Sequence, residues 1–222
     1  MPAAPRAGGL RERNKADKLQ KIRRAARELF IEAGYEDATV REIAQRAGIG
    51  LGTLFAYAAD KRDLLFLIFN DELEAVTAAA FAELPDGLAF LDQLIAVFRR
   101  NYEFFGRQPR LAQFMLRELT FYGTGSATSR FHVIRERLTA DLAGLVAAAQ
   151  AAGRIGSAAA PATVARLIFA VYAIEIRRWV GEEPPLVEAG LQSLRDLLRL
   201  QILGLAPAPG ALGTGRQRRP VT

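Results

Sequence analysis

The chain has 222 residues, of which 50% are apolar and 24% are charged, as is typical of a globular protein with one large or two small domains. It has no cysteine and a single histidine, which excludes disulfides, thiolate metal sites and the histidine clusters that bind zinc. The start of the chain does not have the apolar stretch of a signal peptide, and the longest strongly apolar run is far shorter than a membrane span. We therefore expect a cytoplasmic protein with no membrane segment, no metal and no cofactor.

Positive charge is concentrated at the two ends of the chain. Residues 1–27 hold nine basic side chains against two acidic ones, and residues 206–222 hold three basic ones, whereas residues 28–205 carry a net charge of −4. Enrichment in Pro, Gly and Arg predicts a mobile basic arm over 1–14 and a mobile tail over 206–222. Basic segments of this kind are typical of phosphate contact, but Arg-rich termini can also act only as solubilising ends.

A first helix is predicted from Lys15 to Gly34. Its apolar residues recur at helical spacing from Leu19 to Ala33, and its basic residues lie on the other face. The apolar face should pack on the two helices that follow.

Two short helices joined by a tight turn are predicted within residues 39–61. Thr39 begins a T-x-x-E capping box, which favours a helix start, and Gly48 can adopt the positive φ that ends the helix. A second short helix opens at Gly50 or Leu51. This spacing is typical of a helix-turn-helix, in which the second helix enters the major groove of DNA.

The same region resembles the DNA-binding domain of the TetR family of bacterial transcriptional regulators. The matching segments are AARELFIEAGY (25–35), TVREIAQRAGIGLGTLF (39–55) and AYAADKRDLL (56–65). Gly50, Phe55 and Ala58 stand where the family usually has Ser, Tyr and Phe. A hydroxyl that caps the reading helix and a phenol that reaches a phosphate in relatives are therefore absent, so we expect DNA affinity to depend more on basic residues.

The resemblance implies a DNA-binding domain over residues 15–61. We expect it to use Thr39, Val40, Arg41, Gly50, Leu51, Gly52, Thr53, Phe55, Ala56, Tyr57 and Lys61. Base contacts are expected from Arg41, Thr53, Ala56 and Tyr57. Phosphate contacts are expected from Thr39, Gly52 and Lys61.

The remainder of the chain is predicted to be helical, since no alternating strand pattern occurs. Further helices are expected over about 61–83, 86–105, 110–121, 129–152, 161–180 and 185–203. The predicted fold is therefore all-α, with about nine helices in total: an N-terminal three-helix DNA-binding domain and a larger helical bundle over residues 62–205. In the resembling family this larger part holds an effector pocket and a dimer interface.

Aromatic side chains and one carboxylate are the candidates for an effector pocket. They are Phe105, Phe114, Phe121, Phe131, Tyr172 and Glu175. Each aromatic residue could instead be ordinary core. Glu175 could form an ion pair with Arg178, Arg135 or Arg137, or it could receive a mostly apolar ligand that carries a cationic or hydrogen-bond-donating group.

An apolar stripe on the last helix predicts a homodimer interface together with the 161–180 helix. The residues concerned are Ile168, Leu191, Leu194, Leu198 and Ile202. The alternative is that this stripe packs inside its own protomer.

The resulting interpretation is a ligand-responsive DNA-binding regulator, most simply a repressor released from a palindromic operator by a small effector. Alternatives are an architectural, nucleoid-type DNA-binding protein without an effector, and a helical small-molecule-binding protein or enzyme with a vestigial head. We expect no enzyme. Ser129 and His132 share a helix, but no orienting carboxylate or oxyanion donor accompanies them.

Overall fold

A computed structural model describes residues 7–118, 125–156 and 159–204 of the chain. These residues form nine α-helices and no strand, so the all-α prediction is confirmed. The helices are α1 (Ala7–Glu32), α2 (Val40–Arg46), α3 (Leu51–Phe55), α4 (Lys61–Ala82), α5 (Phe90–Gly106), α6 (Pro109–Glu118), α7 (Ser126–Ala151), α8 (Pro161–Val180) and α9 (Val187–Leu203). No helix in this described part is both long and apolar enough to cross a bilayer.

The start of α2 is fixed by the predicted capping box. The Glu42 amide donates to the Thr39 hydroxyl at 3.2 Å, and the Thr39 amide donates to the Glu42 carboxylate at 2.9 Å. The hydrogen bonds from Thr39 hold the pKa of Glu42 below its ordinary value. Gly48 has φ +66° and turns the chain towards α3.

Helix α1 begins earlier than the sequence indicated. It starts at Ala7 and not near Lys15, so the expectation of a mobile arm over 1–14 is corrected for residues 7–14. Once a helix has formed, each added residue costs little free energy, and Leu, Arg and Glu in this stretch are good helix formers. Residues 1–6 and the expected tail 206–222 lie outside the described residues.

Two arginines of α1 attach the first helix to α4. Arg23 donates to the Leu67 carbonyl oxygen at 2.9 Å and forms an ion pair with Asp71 at 2.5 Å. Arg27 forms an ion pair with Glu72 at 2.9 Å. Part of the positive charge of α1 is therefore paired with acidic side chains of α4.

The larger domain is a bundle in which α4 packs on α5 and α7, α7 packs on α8, and α9 packs on α5 and α8. Its buried apolar residues are continuous with those of α1–α3. Trp179 is fully buried, and its indole N–H donates to the Leu186 carbonyl oxygen at 2.9 Å. The N-terminal domain of α1–α3, here called the head, and the bundle thus share one core.

Most of the residues expected at a dimer interface lie inside the protomer. Ile168, Leu191, Leu194 and Leu198 are between 0% and 3% exposed. The three leucines are buried because α9 packs on α5 and α8 of its own chain, and Ile168 lies on α8, which packs on α7 and α9. Of the predicted set, only Ile202 is exposed. The assignment of the other four to a partner surface is corrected to core.

Two helical glycines provide a test of the packing around Trp179. A Cβ at Gly190 would lie 2.4 Å from the Trp179 ring, whereas a Cβ at Gly144 on α7 would meet nothing within 4 Å. We expect Gly190→Ala to lower the free energy of unfolding by about 1–3 kcal/mol. Gly144→Ala, the matched control, should raise it by about 0.5–1 kcal/mol. Urea unfolding of both variants measures these changes, and equal effects would contradict the close approach of α9 to Trp179.

Candidate nucleic-acid interface and internal cavity

Helix α3 and the start of α2 form an exposed surface. Leu54 is fully buried and anchors α3 to the core, whereas Phe55 on the same helix is 48% exposed. Among the residues predicted to contact DNA, Thr39, Arg41, Gly50, Gly52 and Ala56 are also exposed, and Val40, Leu51, Thr53, Tyr57 and Lys61 are partly exposed. Each residue of this set is therefore at least partly accessible to solvent.

The beginning of α3 has free backbone donors. The N-cap residue Gly50 forms no side-chain cap, which is the consequence expected from the absence of a serine there. The first backbone bonds of the helix are donated by Thr53 and Leu54 to the Gly50 carbonyl oxygen. The N–H groups of Leu51 and Gly52, at the exposed helix start, remain available to an acceptor outside the protein.

Arg41 and the first turns of α1 carry exposed cations. Arg11, Lys15 and Lys18 follow one another at i, i+4 and i+7, so they lie on one face of α1. Together with Arg41, they are exposed and form no ion pair with any residue that the structure describes. By contrast, Arg46 is paired with Glu32 at 2.7 Å.

Lys61, which was expected to contact a phosphate, forms hydrogen bonds within the protein. Its ammonium donates to the carbonyl oxygens of Tyr35 and Glu36, each at 2.8 Å, and lies 4.7 Å from the centre of the Tyr35 ring. Two of its three N–H groups are therefore used to fix the α1–α2 loop to the start of α4. One N–H remains for an external acceptor.

The α1–α2 loop also contacts α6. Arg117 forms an ion pair with Glu36 at 2.7 Å, and the Tyr35 and Phe114 rings lie 5.1 Å apart. Phe114, predicted to line the effector pocket, is therefore part of the junction between head and bundle. This position is a correction, and it follows from the face of α6 that turns towards Tyr35. Phe121, also predicted for the pocket, lies outside the described residues.

A fully buried carboxylate joins α4 to α7. Asp63 accepts hydrogen bonds from the Thr128 amide at 2.8 Å and from the Thr128 hydroxyl at 3.0 Å, both in the first turn of α7. Its other oxygen accepts from the Ala59 amide at 3.1 Å. The first turn of α7 thus holds the first turn of α4 through one side chain.

The bundle contains a cavity of about 70 Å³ between α4, α5, α6, α7 and α8. Phe105, Phe131 and Tyr172, three of the predicted pocket residues, line it. Sequence reasoning missed several polar groups of this cavity. They are Thr77, Asn101, Arg135 and Arg177.

Glu175 does not reach the cavity. It is 7% exposed and lies between α8 and α9, where its carboxylate accepts from Arg178 Nη2 at 3.0 Å and from the Ser193 hydroxyl at 2.9 Å. The ion pair with Arg178, one of the two alternatives left open by the sequence, is the one that forms. The pocket role of Glu175, and the cationic ligand inferred from it, are therefore corrected.

The spacing of charges on α8 could have indicated the cavity arginine. Residues three apart on a helix are neighbours, whereas residues two apart do not face each other. Glu175 can consequently pair with Arg178 and not with Arg177. Arg177 is left on a mostly apolar helix without a carboxylate, which is a pattern visible in the sequence.

Comparison with known proteins identifies the head. Residues 22–68 match the family described as bacterial regulatory proteins, tetR family. The chain is 41% identical over 54 residues to the HTH-type transcriptional regulator SAB2452 of Staphylococcus aureus (strain bovine RF122 / ET3-1), and 38% identical over 55 residues to SAUSA300_2515 of strain USA300. These alignments cover 24% and 25% of this chain and 29% and 30% of the relatives, so the chain spans less than a third of the length of the curated relatives it matches. Residues 22–68 are therefore similar to the helix-turn-helix DNA-binding domain of TetR-family regulators.

Solved structures extend the likeness to the larger domain at the level of fold. The FadR repressor of Thermus thermophilus, a TetR-family protein solved with lauroyl-CoA, has a TM-score of 0.65 at 24% identity over 86% of this chain and 97% of that one. FadR from Bacillus subtilis, solved with stearoyl-CoA, has a TM-score of 0.65 at 20% identity over 84% of this chain and 98% of that one. The protein therefore has the fold of TetR-family regulators in both of its parts.

The Asp63 contact predicts a stability change. Asp63→Asn replaces one carboxylate oxygen by an N–H₂ group that cannot accept from its buried donors, so we expect the free energy of unfolding to fall by about 1–3 kcal/mol. Asp86→Asn, an exposed loop position with the same chemical change, should alter it by less than about 0.5 kcal/mol. Chemical denaturation of the two variants measures the difference. Equal stabilities would show that the Asp63 carboxylate does not hold α7.

Proposed function

We propose that this protein is a transcriptional regulator that binds an operator in double-stranded DNA as a homodimer and is released by a small effector in the bundle. The observation that carries the proposal is the exposed surface of α3 and the start of α2 on a TetR-family head. That surface combines free backbone N–H groups at the start of α3 with the unpaired Arg41. Such a combination suits a helix placed in the major groove between two phosphate backbones.

In this proposal the head reads bases with Arg41, Thr53, Ala56 and Tyr57, as the resemblance implies. Phosphates are contacted by Thr39, by the N–H groups at the start of α3 and by Lys61 through its remaining N–H. The cationic face at the start of α1 adds further phosphate contacts. Each neutralised phosphate releases counterions and makes binding more sensitive to salt.

A homodimer follows from the size of the reading helix. One five-residue helix covers few base pairs, whereas two copies related by a two-fold axis present two readers about 34–36 Å apart on a palindrome. Large apolar side chains that remain exposed on α8 and α9 support a partner surface there. They are Leu167, Ile174, Leu197, Leu200, Ile202 and Leu203.

The effector of the proposal binds in the cavity and is mostly apolar. Support comes from the aromatic lining and from the similarity in fold to the two FadR proteins solved with acyl-CoA molecules. The cavity, at about 70 Å³, is below the roughly 300–1,000 Å³ of typical ligand pockets, so binding requires side chains or helices to move apart. Movement of α4 and α7 would change the separation of the two heads and favour release, which makes repression the simplest mode.

Selection of bound sites from random double-stranded DNA tests the proposal as a whole. A dimeric regulator should enrich a palindrome with half-sites about one helical turn apart. An architectural protein would enrich no such site, and a protein without DNA function would enrich nothing even at low salt.

Arg41 should determine sequence preference, and Lys18 should not. We expect Arg41→Ala to cost about 1–3 kcal/mol on the selected site and to relax the preference at one base pair. Lys18→Ala should weaken binding to all sequences alike and reduce the salt slope by nearly one unit. Titration of selected and random DNA at several salt concentrations separates the two effects.

Arg46, on the same helix as Arg41 and paired with Glu32, provides the control. Arg46→Ala should leave the base preference unchanged. If Arg41→Ala reduces affinity for selected and random DNA by the same factor, the base-reading role is wrong.

Leu200 tests the partner surface. It is 51% exposed within the protomer, so Leu200→Asp should leave the protomer folded while placing a charge in the proposed interface. We expect a monomer in sedimentation at micromolar concentration and a loss of about 100-fold or more in affinity for the palindrome. Ile31→Asp, at a position on α1 that is 60% exposed, should remain dimeric. Dimers of equal stability in both variants would place the interface elsewhere.

A further inference from the structure

Two arginines meet at one side of the cavity without a negative partner. Arg177 on α8 donates from Nε to the Leu116 carbonyl oxygen at 3.1 Å and from Nη1 to the Ala173 carbonyl oxygen at 2.6 Å. Its remaining N–H groups, including both of Nη2, have no hydrogen-bond partner among the described residues. Arg135 on α7 lines the same cavity, and its side chain forms no ion pair within the described part of the chain.

No group of the cavity wall neutralises these guanidiniums. The described lining contains no Asp or Glu. Tyr172 stays a neutral phenol, because burial raises its pKa above the ordinary value. Burial of Arg177, together with the nearby charge of Arg135, lowers the pKa of Arg177. An unpaired charge in a partly buried site is destabilising unless another group compensates it.

The cavity offers a further polar atom that lacks a partner. Asn101 is 2% exposed and lines the cavity, and its Oδ1 accepts no hydrogen bond in the described structure. The rest of the wall is apolar and aromatic, including Phe105, Phe131 and Ile176. A ligand complementary to this wall is therefore apolar along most of its length and negatively charged where it meets Arg177 and Arg135. The Asn101 oxygen is itself an acceptor, so it would be satisfied by a hydrogen-bond donor and does not bind the charge.

We propose that Arg177 and Arg135 bind the negatively charged oxygens of the effector, and that the effector is an amphipathic anion with a hydrocarbon chain. The inference rests on the proposed function in that it names the ligand class of the same cavity. A guanidinium is suited to such a ligand because it donates two parallel hydrogen bonds to a carboxylate or phosphate. The two sources of the anion are a free carboxylate, as in a fatty acid, and the phosphates of a coenzyme A thioester.

The surface next to the cavity provides room for the polar end of such a ligand. Arg135 and Phe169 line both the cavity and a neighbouring groove of about 410 Å³ between α7 and α8. A third arginine, Arg166, and one acidic residue, Glu136, also line that groove. A ligand could therefore place its chain in the cavity, its charge beside Arg135 and any larger polar group along the groove.

Binding of an anion would change the attachment of α6. Arg177 donates to the carbonyl oxygen of Leu116. Leu116 directly precedes Arg117, which forms the ion pair with Glu36 of the head. An anion that binds side-on, through Nε and Nη2 of Arg177, competes with the Leu116 carbonyl oxygen for the Nε hydrogen. The same event therefore fills the cavity and weakens one attachment between α8 and the helix that touches the head.

Binding to the full-length protein without DNA tests the ligand class by calorimetry. The probes are dodecanoate, lauroyl-CoA, dodecan-1-ol and dodecyltrimethylammonium, which share a twelve-carbon chain and differ in charge. We expect one or both anions to bind, and the alcohol and the cation to bind at least about tenfold more weakly. Dodecanoate binding would identify the carboxylate as the recognised group, and binding of lauroyl-CoA alone would identify the coenzyme A phosphates.

Three variants assign the anion to the arginines. Arg177→Gln and Arg135→Gln should each lower the affinity for the anion by about tenfold or more, roughly 1.4 kcal/mol. Neither change should alter the weak binding of dodecan-1-ol. Arg177→Lys should recover part of the affinity, because the charge remains while the paired geometry is lost. The matched control is Arg137→Gln on the exposed face of α7, which should bind the anion like the unchanged protein.

A thermal midpoint in the absence of ligand separates binding from structure. Arg135→Gln should not lower the midpoint, since it removes a like charge near Arg177. The inference is overturned if neither anion binds, if the alcohol binds as tightly as the anion, or if Arg177→Gln and Arg137→Gln behave alike. If the protein fails these tests but selects a palindrome, the proposed regulator stands with a different effector. If it binds the anion but selects no DNA, only the ligand site stands.

Discussion

The position of the DNA-binding head depends on one buried carboxylate. Asp63 has no cation beside it in the described structure and is stabilised by three hydrogen-bond donors and by the positive end of the α7 dipole. The residue before α7 must be glycine, because Gly125 has φ +111° and a Cβ there would lie 2.4 Å from the Asp63 carboxylate. Asp63 of α4 and Thr128 of α7 are 65 residues apart in sequence, and the bond between them holds the starts of the two helices together. The start of α4 therefore cannot shift without disturbing α7.

The other contacts between head and bundle are also largely polar. Lys61 ties the start of α4 to the α1–α2 loop, and Arg117 ties α6 to Glu36 of the same loop. A polar contact can exchange one partner for another at a small net cost, whereas an apolar contact that opens exposes surface to water. The junction therefore combines a shared apolar core with a few bonds whose partners can change. That combination suits the movement of the head that the proposed effector response requires.

Features set by neighbouring residues were predictable from the sequence, and features set by distant ones were not. The capping box of Thr39, the positive φ of Gly48 and the helical pattern each depend on a few adjacent residues. The apolar stripe of Leu191 and its neighbours correctly indicated a buried face, but it contains no information about which surface covers it. The role of Asp63 could not be read from the sequence either, because its partner Thr128 lies 65 residues further along the chain.

The arginines of the cavity are partly exposed, and their charge is compensated differently from that of the buried carboxylates Asp63 and Glu175. Asp63 has its donors, and Glu175 has Arg178 and Ser193. Arg177 has two carbonyl oxygens and a second cation nearby. Arg177 has a structural role, because its bond to the Leu116 carbonyl oxygen joins α8 to α6, but no acidic side chain of the described cavity wall compensates its charge. A ligand that supplies the missing negative charge binds only the folded protein, and it stabilises that fold in proportion to the logarithm of its concentration above Kd. In the proposed response, an anion bound beside Arg177 offsets the desolvation of its guanidinium, and the difference in anion affinity between two states of the protein supplies the free energy that moves α6 and the head.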